Sequence, residues 1–258
     1  MSSSIRWWLA DSWEMVKRNL RHIRRNPELL IDVTLSPIMF VLLFRFVFGG
    51  AIPIEGTSYV NYLMAGIFVQ TIAFTGVYTG YLLANDLTKG MIDRFRSLPM
   101  SQSSVITGRT LTDLFRGTIA ITIMWIVGLI VGFRPEGGVG GALAAVGMIL
   151  LFGFALSWVG ITLGVLVRAP EALQGIMFMT VFPLTFASSA FVPTDTMPDW
   201  LQAFAEAQPM TLVTNSVRDF TLGGSGGPDL VAALIWSAGI LAICFPLGAW
   251  LYQRRTTQ

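Results

Sequence analysis

The sequence predicts an all-α integral membrane protein with six transmembrane helices, and three observations lead to this prediction. Hydrophobic residues make up 53% of the 258 residues and charged residues only 12%, whereas soluble domains carry about 25% charged residues. Six stretches reach the length of about 20 apolar residues that crosses a bilayer. Residues 119–130 are apolar on both faces, unlike the alternating strands of a β-barrel. The predicted spans are 29–48, 59–83, 110–132, 142–167, 172–191 and 230–251.

The segment before the first span, residues 1–28, is predicted to form an amphipathic helix on the inner membrane surface. Apolar residues recur there at intervals of three and four, and basic residues occupy the other face. Asn26-Pro27 ends this helix before the first span. The basic face consists of Lys17, Arg18, Arg21, Arg24 and Arg25.

The distribution of basic residues predicts the orientation, because segments rich in Lys and Arg stay in the cytoplasm. Thirteen of the 17 Lys and Arg residues lie in the two termini and the even-numbered connections, and only Arg134 and Arg218 lie on the opposite side. We therefore expect a multi-pass protein of the cell membrane with both termini in the cytoplasm. Residues 1–258 would form one transmembrane domain, with a cytoplasmic connection at 85–109 and an extracellular segment at 193–228.

The second connection, residues 85–109, is too long for a simple hairpin and has an amphipathic helical spacing that ends at Pro99. A short cytoplasmic helix fits this pattern. Phe95 and Leu98 would offer apolar contacts to another protein, and Arg94 and Arg96 polar ones. The alternative is a solvated loop whose charges only set the topology.

The fifth connection predicts short helices on the outer side. Residues 199–207 include Trp200 and Phe204 and are apolar enough to touch the bilayer, while Pro193, Pro198 and Pro209 prevent one continuous helix. Re-entrant or surface helices satisfy both constraints. A plain extracellular loop is the alternative.

Three charged residues mark the cytoplasmic entrance of the third span. Arg109, Asp113 and Arg116 are separated by four and three residues, which places them on one helical face. Burying an ionisable group in lipid costs a few kcal/mol and indicates pairing or function. A structural salt-bridge cluster that forms a gate is favoured over a proton relay.

The fifth span carries an aromatic stripe, because Phe178, Phe182 and Phe186 follow one another at four-residue steps. The stripe could line a cavity for a bulky apolar substrate, and core packing is the alternative. In the fourth span, Gly153, Gly160 and Gly164 favour close approach of a neighbouring helix.

Several kinds of protein are excluded by absent residues. The only lysines, Lys17 and Lys89, do not follow a glycine, so the chain has no P-loop for ATP. A single histidine, His22, and a single cysteine, Cys244, exclude an HExxH zinc site and a thiolate metal cluster. We therefore predict no catalytic residue, no metal and no cofactor in this chain. A net charge of +2 is too small for a nucleic-acid-binding protein.

The second connection and the fifth connection together resemble the ABC-2 family of ABC-transporter permeases, most closely its daunorubicin-resistance-type branch. The resemblance covers nearly the whole chain. Asp86 departs from the pattern, because many relatives carry Glu at that position. The residues that carry the resemblance are Asp86, Gly90, Asp93, Arg94, Phe95, Arg96, Ser97, Leu98, Pro99, Arg109, Asp113, Phe191-Val192-Pro193, Met197-Pro198, Trp200-Leu201, Pro209 and Arg218.

The resemblance implies that the chain is the membrane half of an ATP-driven exporter of drugs, lipids or polyketide-like molecules, as in antibiotic resistance. Two permease chains, identical or different, would form the pathway, and a separate pair of cytoplasmic ATPases would bind ATP and Mg²⁺. The coupling interface with the ATPases would comprise Asp86, Asp93, Arg94, Phe95, Arg96, Leu98 and Pro99. The alternative, a self-sufficient secondary transporter or channel, needs an ion site near the bilayer midplane, and the sequence has no acidic residue there.

Overall fold

The computed structural model describes residues 28–49, 54, 56–89, 102–167 and 169–257. Within these residues the fold is α-helical and contains no strand, as the composition predicts. The predicted N-terminal amphipathic helix and residues 90–101 of the second connection lie outside the described residues. The α-helices are α1 (Glu28–Leu43), α2 (Tyr59–Thr88), α3 (Gln102–Val131), α4 (Gly138–Leu166), α5 (Pro170–Phe186), α6 (Asp199–Ala207), α7 (Pro209–Thr221) and α8 (Leu230–Thr257).

Four of these helices, α2, α3, α4 and α8, are long and apolar enough to cross a membrane. Helices α1 and α5 coincide with the first and fifth predicted spans but are shorter. The apolar part of the first runs over Leu35–Phe48, including a π-helical segment at Phe44–Phe48, and α5 has 17 residues. The described part of the chain is therefore that of a helical membrane protein.

Helix α2 lies at the centre of the bundle and contacts α1, α3, α4, α5 and α7. It begins at an N-cap, where the Ser58 hydroxyl accepts a hydrogen bond from the backbone N–H of Asn61 at 3.3 Å. We call the end of the bundle where α2 begins and α1 and α5 finish the distal end. The opposite end, where α2 finishes and α3 begins, is the proximal end.

Glycines bring the backbones of α2 and α4 into direct contact. A Cβ atom added to Gly80 would lie 2.0 Å from the carbonyl oxygen of Gly160, and one added to Gly164 would lie 2.4 Å from that of Gly80. No side chain fits in this space. The close approach predicted from the glycines of the fourth span is confirmed, and its counterpart on α2 is Gly80 together with Gly76.

Helix α5 ends five residues before the predicted end of the fifth span, at Phe186 rather than at Phe191. Pro183 lies one turn from this end and has no N–H for the helical ladder. The side-chain amide of Gln208 donates hydrogen bonds at 2.8 Å to the carbonyl oxygens of Leu184 and Ala187. These bonds satisfy carbonyls that the helix leaves free, so the chain can turn here.

The segment after α5 folds as a 3-10 turn at Thr194–Thr196 and two short helices, α6 and α7, at the distal end. Helix α6 spans the same residues as the short helix expected at 199–207, and Pro209 is the first residue of α7. A glycine turn then leads to α8. Asp219 holds this turn by accepting a hydrogen bond from the N–H of Gly226 at 2.8 Å, and Gly226 has φ +108°.

Candidate functional site

A cavity of about 370 Å³ lies between α1, α2 and α5. It is bounded by the middle of α1, by the central part of α2 and by the middle of α5. Helices α1 and α5 both pack on α2, and the cavity lies between them. A concave surface of this size is a candidate for a substrate site.

Aromatic rings from all three helices line the cavity. Of the three phenylalanines proposed as a cavity stripe, Phe178 and Phe182 contribute to the lining and Phe186 does not. The rings of Phe178 and Phe182 stack at 4.8 Å between centroids, so they form a continuous aromatic wall on α5. The lining rings are Phe40, Phe74, Tyr78, Phe178 and Phe182.

The cavity also carries uncharged polar side chains, and no charged residue lines it in the described structure. Two threonines use their hydroxyls within α2, where Thr71 donates to the carbonyl of Ile67 at 2.7 Å and Thr75 to that of Thr71 at 2.8 Å. The polar lining therefore faces the cavity without a net charge. Its members are Ser36, Gln70, Thr71, Thr75 and Gln174.

A ladder of phenylalanine rings fills the space on the distal side of the cavity. The rings of Phe182 and Phe186 lie 4.4 Å apart, Phe186 and Phe191 4.8 Å, and Phe191 and Phe44 4.5 Å. The hydroxyl of Tyr59 donates to the carbonyl oxygen of Phe191 at 3.2 Å and ties the ladder to α2. Phe186 therefore packs in this ladder, which closes the distal end of the cavity.

A buried ion pair lies behind the proximal wall of the cavity. Arg116 and Asp113 are 3.1 Å apart and only 5% and 6% exposed. The hydroxyl of Thr79 donates to Asp113 Oδ2 at 2.6 Å, and Arg116 donates to the carbonyl oxygen of Thr75 at 3.2 Å. Asp113 and Arg116, which were predicted to share one face of α3, are thus paired with each other and hydrogen-bonded to α2. The side chain of Arg109 lies outside the described residues.

The ion pair and the cavity share a wall. Thr75 lines the cavity and accepts the Arg116 bond through its carbonyl. The Arg116 guanidinium also lies 5.6 Å from the centroid of the Tyr78 ring, which lines the cavity as well. A displacement of α3 at its proximal end would therefore act directly on two cavity residues, Thr75 and Tyr78.

Of the proposed coupling residues, the structure describes only Asp86, at the proximal end. Asp86 lies in the last turn of α2, where it is partly buried and has an interaction partner. The remaining residues assigned to the ATPase interface, Asp93, Arg94, Phe95, Arg96, Leu98 and Pro99, lie outside the described residues.

At the distal end, Arg218 joins α7 to α2 and to the segment after α5. Its guanidinium donates to the carbonyl oxygens of Ser189 at 2.7 Å and Tyr62 at 3.3 Å, and to Asn215 Oδ1 at 2.8 Å. It lies 3.6 Å from the centroid of the Tyr62 ring. Burial lowers the pKa of Arg218 to about 10, so the guanidinium is still cationic at neutral pH.

The two residues proposed as outer anchors differ from Arg218 in having little protein around them. Trp200 is 75% exposed and Phe204 is 49% exposed, and both lie on α6 four residues apart. Four residues correspond to about one helical turn, so the two rings share one face of α6.

Sequence reasoning found the α5 side of the cavity and missed the α2 side. Gln70, Phe74 and Tyr78 of α2 follow one another at four-residue steps and all line the cavity. The signal was a polar stripe in an otherwise apolar span, because Gln70 and Thr71 are followed by threonines at 75 and 79. Such a stripe indicates a helix face that meets protein or a cavity rather than lipid.

The chain matches the family model described as ABC-2 type transporter over residues 11–222. It is 36% identical over 238 residues to the daunorubicin resistance ABC transporter permease protein DrrB1 of Streptomyces coeruleorubidus, covering 92% of this chain and 84% of that protein. It is 23% identical to the probable doxorubicin resistance ABC transporter permease protein DrrC of Mycobacterium tuberculosis, covering 99% of this chain and 92% of that one. A putative transport permease, ycf38 of Porphyra purpurea, is 26% identical over 79% of this chain and 71% of its own.

The chain belongs to the ABC-2 type transporter family. It is accordingly the membrane permease subunit of an ABC exporter, a class whose members associate with ABC ATPases. The resemblance drawn from the coupling and outer segments is confirmed. The alternative of a self-sufficient secondary transporter or channel is not supported by this membership.

Proposed function

We propose that this permease moves a hydrophobic or amphipathic drug-like, lipid or polyketide-like substrate outward through the cavity between α1, α2 and α5. The observation that carries the proposal is the lining of that cavity, which combines five aromatic rings with uncharged polar groups. Aromatic and apolar walls with a few polar groups are typical of sites for drug-sized ligands. Two relatives are named for resistance to daunorubicin and doxorubicin, which are substrates of this general kind.

The arrangement supports a path that is closed on the distal side. The phenylalanine ladder from Phe182 to Phe44 packs ring against ring beyond the cavity. Outward release would require these rings to separate. The ion pair of Asp113 and Arg116 at the proximal wall is suited to pass a movement of α3 to the cavity, because it is bonded to Thr79 and Thr75. With Arg109, this pair would form the proposed cytoplasmic gate.

The proposed topology has six spans with both termini in the cytoplasm. The first would combine the 16 residues of α1 and the five of the π-helical segment, or about 30 Å at 1.5 Å per residue, which matches the hydrocarbon core. The fifth would be α5, shortened by the turn after Phe186. Arg254 and Arg255 at the proximal end of α8 agree with a cytoplasmic proximal end.

Orientation can be tested by labelling single cysteines in a Cys244→Ser background. A cysteine at Ser225 should react with an impermeant reagent added outside, and one at Ser103 should not. The reverse pattern would place both termini outside.

The proposed partners follow from the exposed surfaces and from the family. A second permease chain, identical or homologous, would pair with this one, and the apolar faces of α1 and α5 beside the cavity are open to such a contact, with Met39 56% and Met179 79% exposed. Lipid would cover the outer face of α8. A pair of separate ATPases would supply ATP hydrolysis with Mg²⁺, docking on the coupling segment that contains Phe95 and Leu98.

The decisive experiment is transport of daunorubicin into inverted proteoliposomes that contain the permease and its co-purified ATPase. We expect uptake that requires ATP and Mg²⁺. The double variant Phe95→Asp with Leu98→Asp should lose ATPase association and uptake, because it puts charge into an apolar contact, whereas Gln102→Ala should keep both. Uptake driven by an ion gradient in the absence of ATPase would overturn the proposal.

A further inference from the structure

Gln70 stands out among the residues of the cavity. Its side chain lines the cavity from α2 and is only 4% exposed. Among the described residues, no group forms a hydrogen bond with its side-chain amide. Its amide atoms are not among the polar atoms that protein fully covers, so a ligand or water can reach them from the cavity.

The neighbouring polar residues of α2 do not share this property. The hydroxyls of Thr71 and Thr75 donate to carbonyls one turn earlier at 2.7 and 2.8 Å. Their donor protons are therefore already used within the helix. The amide of Gln70 has two donor hydrogens and an acceptor oxygen available on the cavity side. Gln174 provides a second amide on the α5 side but is exposed.

We infer that Gln70 is a specificity-determining residue of the permease, hydrogen-bonding a hydroxyl or carbonyl group at the edge of a planar aromatic substrate. This inference rests on the proposed function of the cavity. The stacked rings of Phe178 and Phe182 on α5 and the ring of Phe74 on α2 favour a planar ring system. Gln70 supplies the polar contact that distinguishes one such ring system from another.

The surroundings of Gln70 favour a neutral polar group over a charged one. No charged residue is part of the described lining, so a neutral hydroxyl or carbonyl finds a partner in Gln70, whereas an ionised group finds no described partner of opposite charge. Arg116, which lies 5.6 Å from the Tyr78 ring, is already paired with Asp113 at 3.1 Å. A hydroxyl or carbonyl, by contrast, replaces the water that an amide holds in an unliganded cavity.

Substrates without such a group should bind less well. An apolar ring system must displace water from the amide and cannot replace its hydrogen bonds. A neutral hydrogen bond of this kind corresponds to about a 3- to 10-fold difference in affinity. The preference should therefore be measurable and should reside at this single residue.

The test is equilibrium binding of two probes, anthracene and 2-hydroxyanthracene, to the purified full-length chain in lipid nanodiscs, with empty nanodiscs subtracted. Two variants, Gln70→Leu and Gln70→Met, remove the amide and keep a side chain of similar size. Gln202→Leu on α6, at a half-buried glutamine outside the cavity lining, is the matched control. The wild type and the control should prefer the hydroxy compound about 3- to 10-fold.

Both Gln70 variants should lose this preference and bind anthracene as well as the wild type does or better. If either folded variant retains the wild-type preference, or if both variants bind neither probe, the inference is overturned and the cavity keeps its proposed role. If the wild type binds both probes equally, the inference is likewise overturned and the cavity keeps its proposed role. A wild type that binds neither probe would overturn the inference together with the proposed function of the cavity.

Discussion

Helices α2 and α8 are similar in length and have opposite surroundings. In the most apolar 18-residue stretch of each, 94% of the residues of α2 are buried inside the protein but only 11% of those of α8. Yet α2 is the less apolar of the two, with a mean hydropathy of 1.4 against 2.3. In this protein, the more hydrophobic helix faces outward and the more polar one forms the centre.

The more hydrophobic helix faces outward because the solvent around the spans is lipid rather than water. Lipid tails are as apolar as leucine, so apolar surface gains little by moving from lipid into the protein. Small residues that allow close packing and polar residues that need partners do gain from burial. Helix α2 has both, in Gly76, Gly80 and the threonines at 71, 75 and 79, whereas α8 presents residues such as Ile243 and Trp250 to the outside.

The largest expected effect comes from filling the glycine contact of α2. Gly80→Ala places a Cβ atom 2.0 Å from the backbone oxygen of Gly160, and no side-chain rotation can relieve a clash between backbones. Since α2 and α4 form the most extensive pairing in the bundle, we expect this variant to lose several kcal/mol of unfolding free energy and to fold poorly. Thermal unfolding in lipid nanodiscs measures the loss.

The matched control is Gly239→Ala on α8, where a Cβ atom would meet nothing within 4 Å. It should be neutral or raise the unfolding free energy by up to about 1 kcal/mol, because alanine is the better helix former. Equal destabilisation by both substitutions would show that α2 does not depend on close backbone contact.

The next effect concerns the ion pair that anchors α3 to α2. Arg116→Met leaves Asp113 charged and buried, and breaking a buried pair in this way typically costs about 3–5 kcal/mol. Arg254→Met on α8 removes an exposed guanidinium that lies 4.2 Å from the Trp250 ring, so it should cost no more than about 1 kcal/mol. Unfolding of both variants in nanodiscs gives the comparison.

A double variant separates the loss of the ion pair from the cost of leaving one charge buried without its partner. Asp113→Leu with Arg116→Met removes both charges and should recover much of the stability lost by Arg116→Met alone. Asp113 makes further contacts, so recovery will be partial. A wild-type unfolding temperature for Arg116→Met would mean that the pair contributes nothing to the α2–α3 contact.

The positions of the membrane helices were predictable because about 20 apolar residues are needed to cross a bilayer. The residues at which these helices begin and end were less predictable. Helix α3 begins at Gln102, eight residues before the predicted third span, because a helix can continue into water after its apolar part ends. Helix α5 ends early because Pro183 and the Gln208 amide terminate it, and the second of these comes from a distant segment.

The cavity was only half predictable. The phenylalanine stripe on α5 was visible because three rings recur at four-residue steps. Gln70 was not singled out although threonines at 71, 75 and 79 recur at four-residue steps, because α2 is buried on nearly every face and a polar stripe alone does not distinguish a cavity from a helix contact. Which face of α2 meets α1 and α5 is decided by the glycine contact with α4 on another side, and that contact joins residues about 80 positions apart.

The smallest expected effect is the most direct test of the comparison, because it makes the same chemical change in both helices. Ile67 on α2 is fully buried and Ile235 on α8 is 66% exposed. Ile67→Val removes one methylene from a packed interior and should cost about 0.5–1.5 kcal/mol. Ile235→Val removes it from a surface that lipid chains can refill, so its cost should stay within about 0.5 kcal/mol. Unfolding free energies in nanodiscs of one lipid composition must be compared. If Ile235→Val costs as much as Ile67→Val, the outer face of α8 is packed against protein, as it would be against a second permease chain, rather than against lipid.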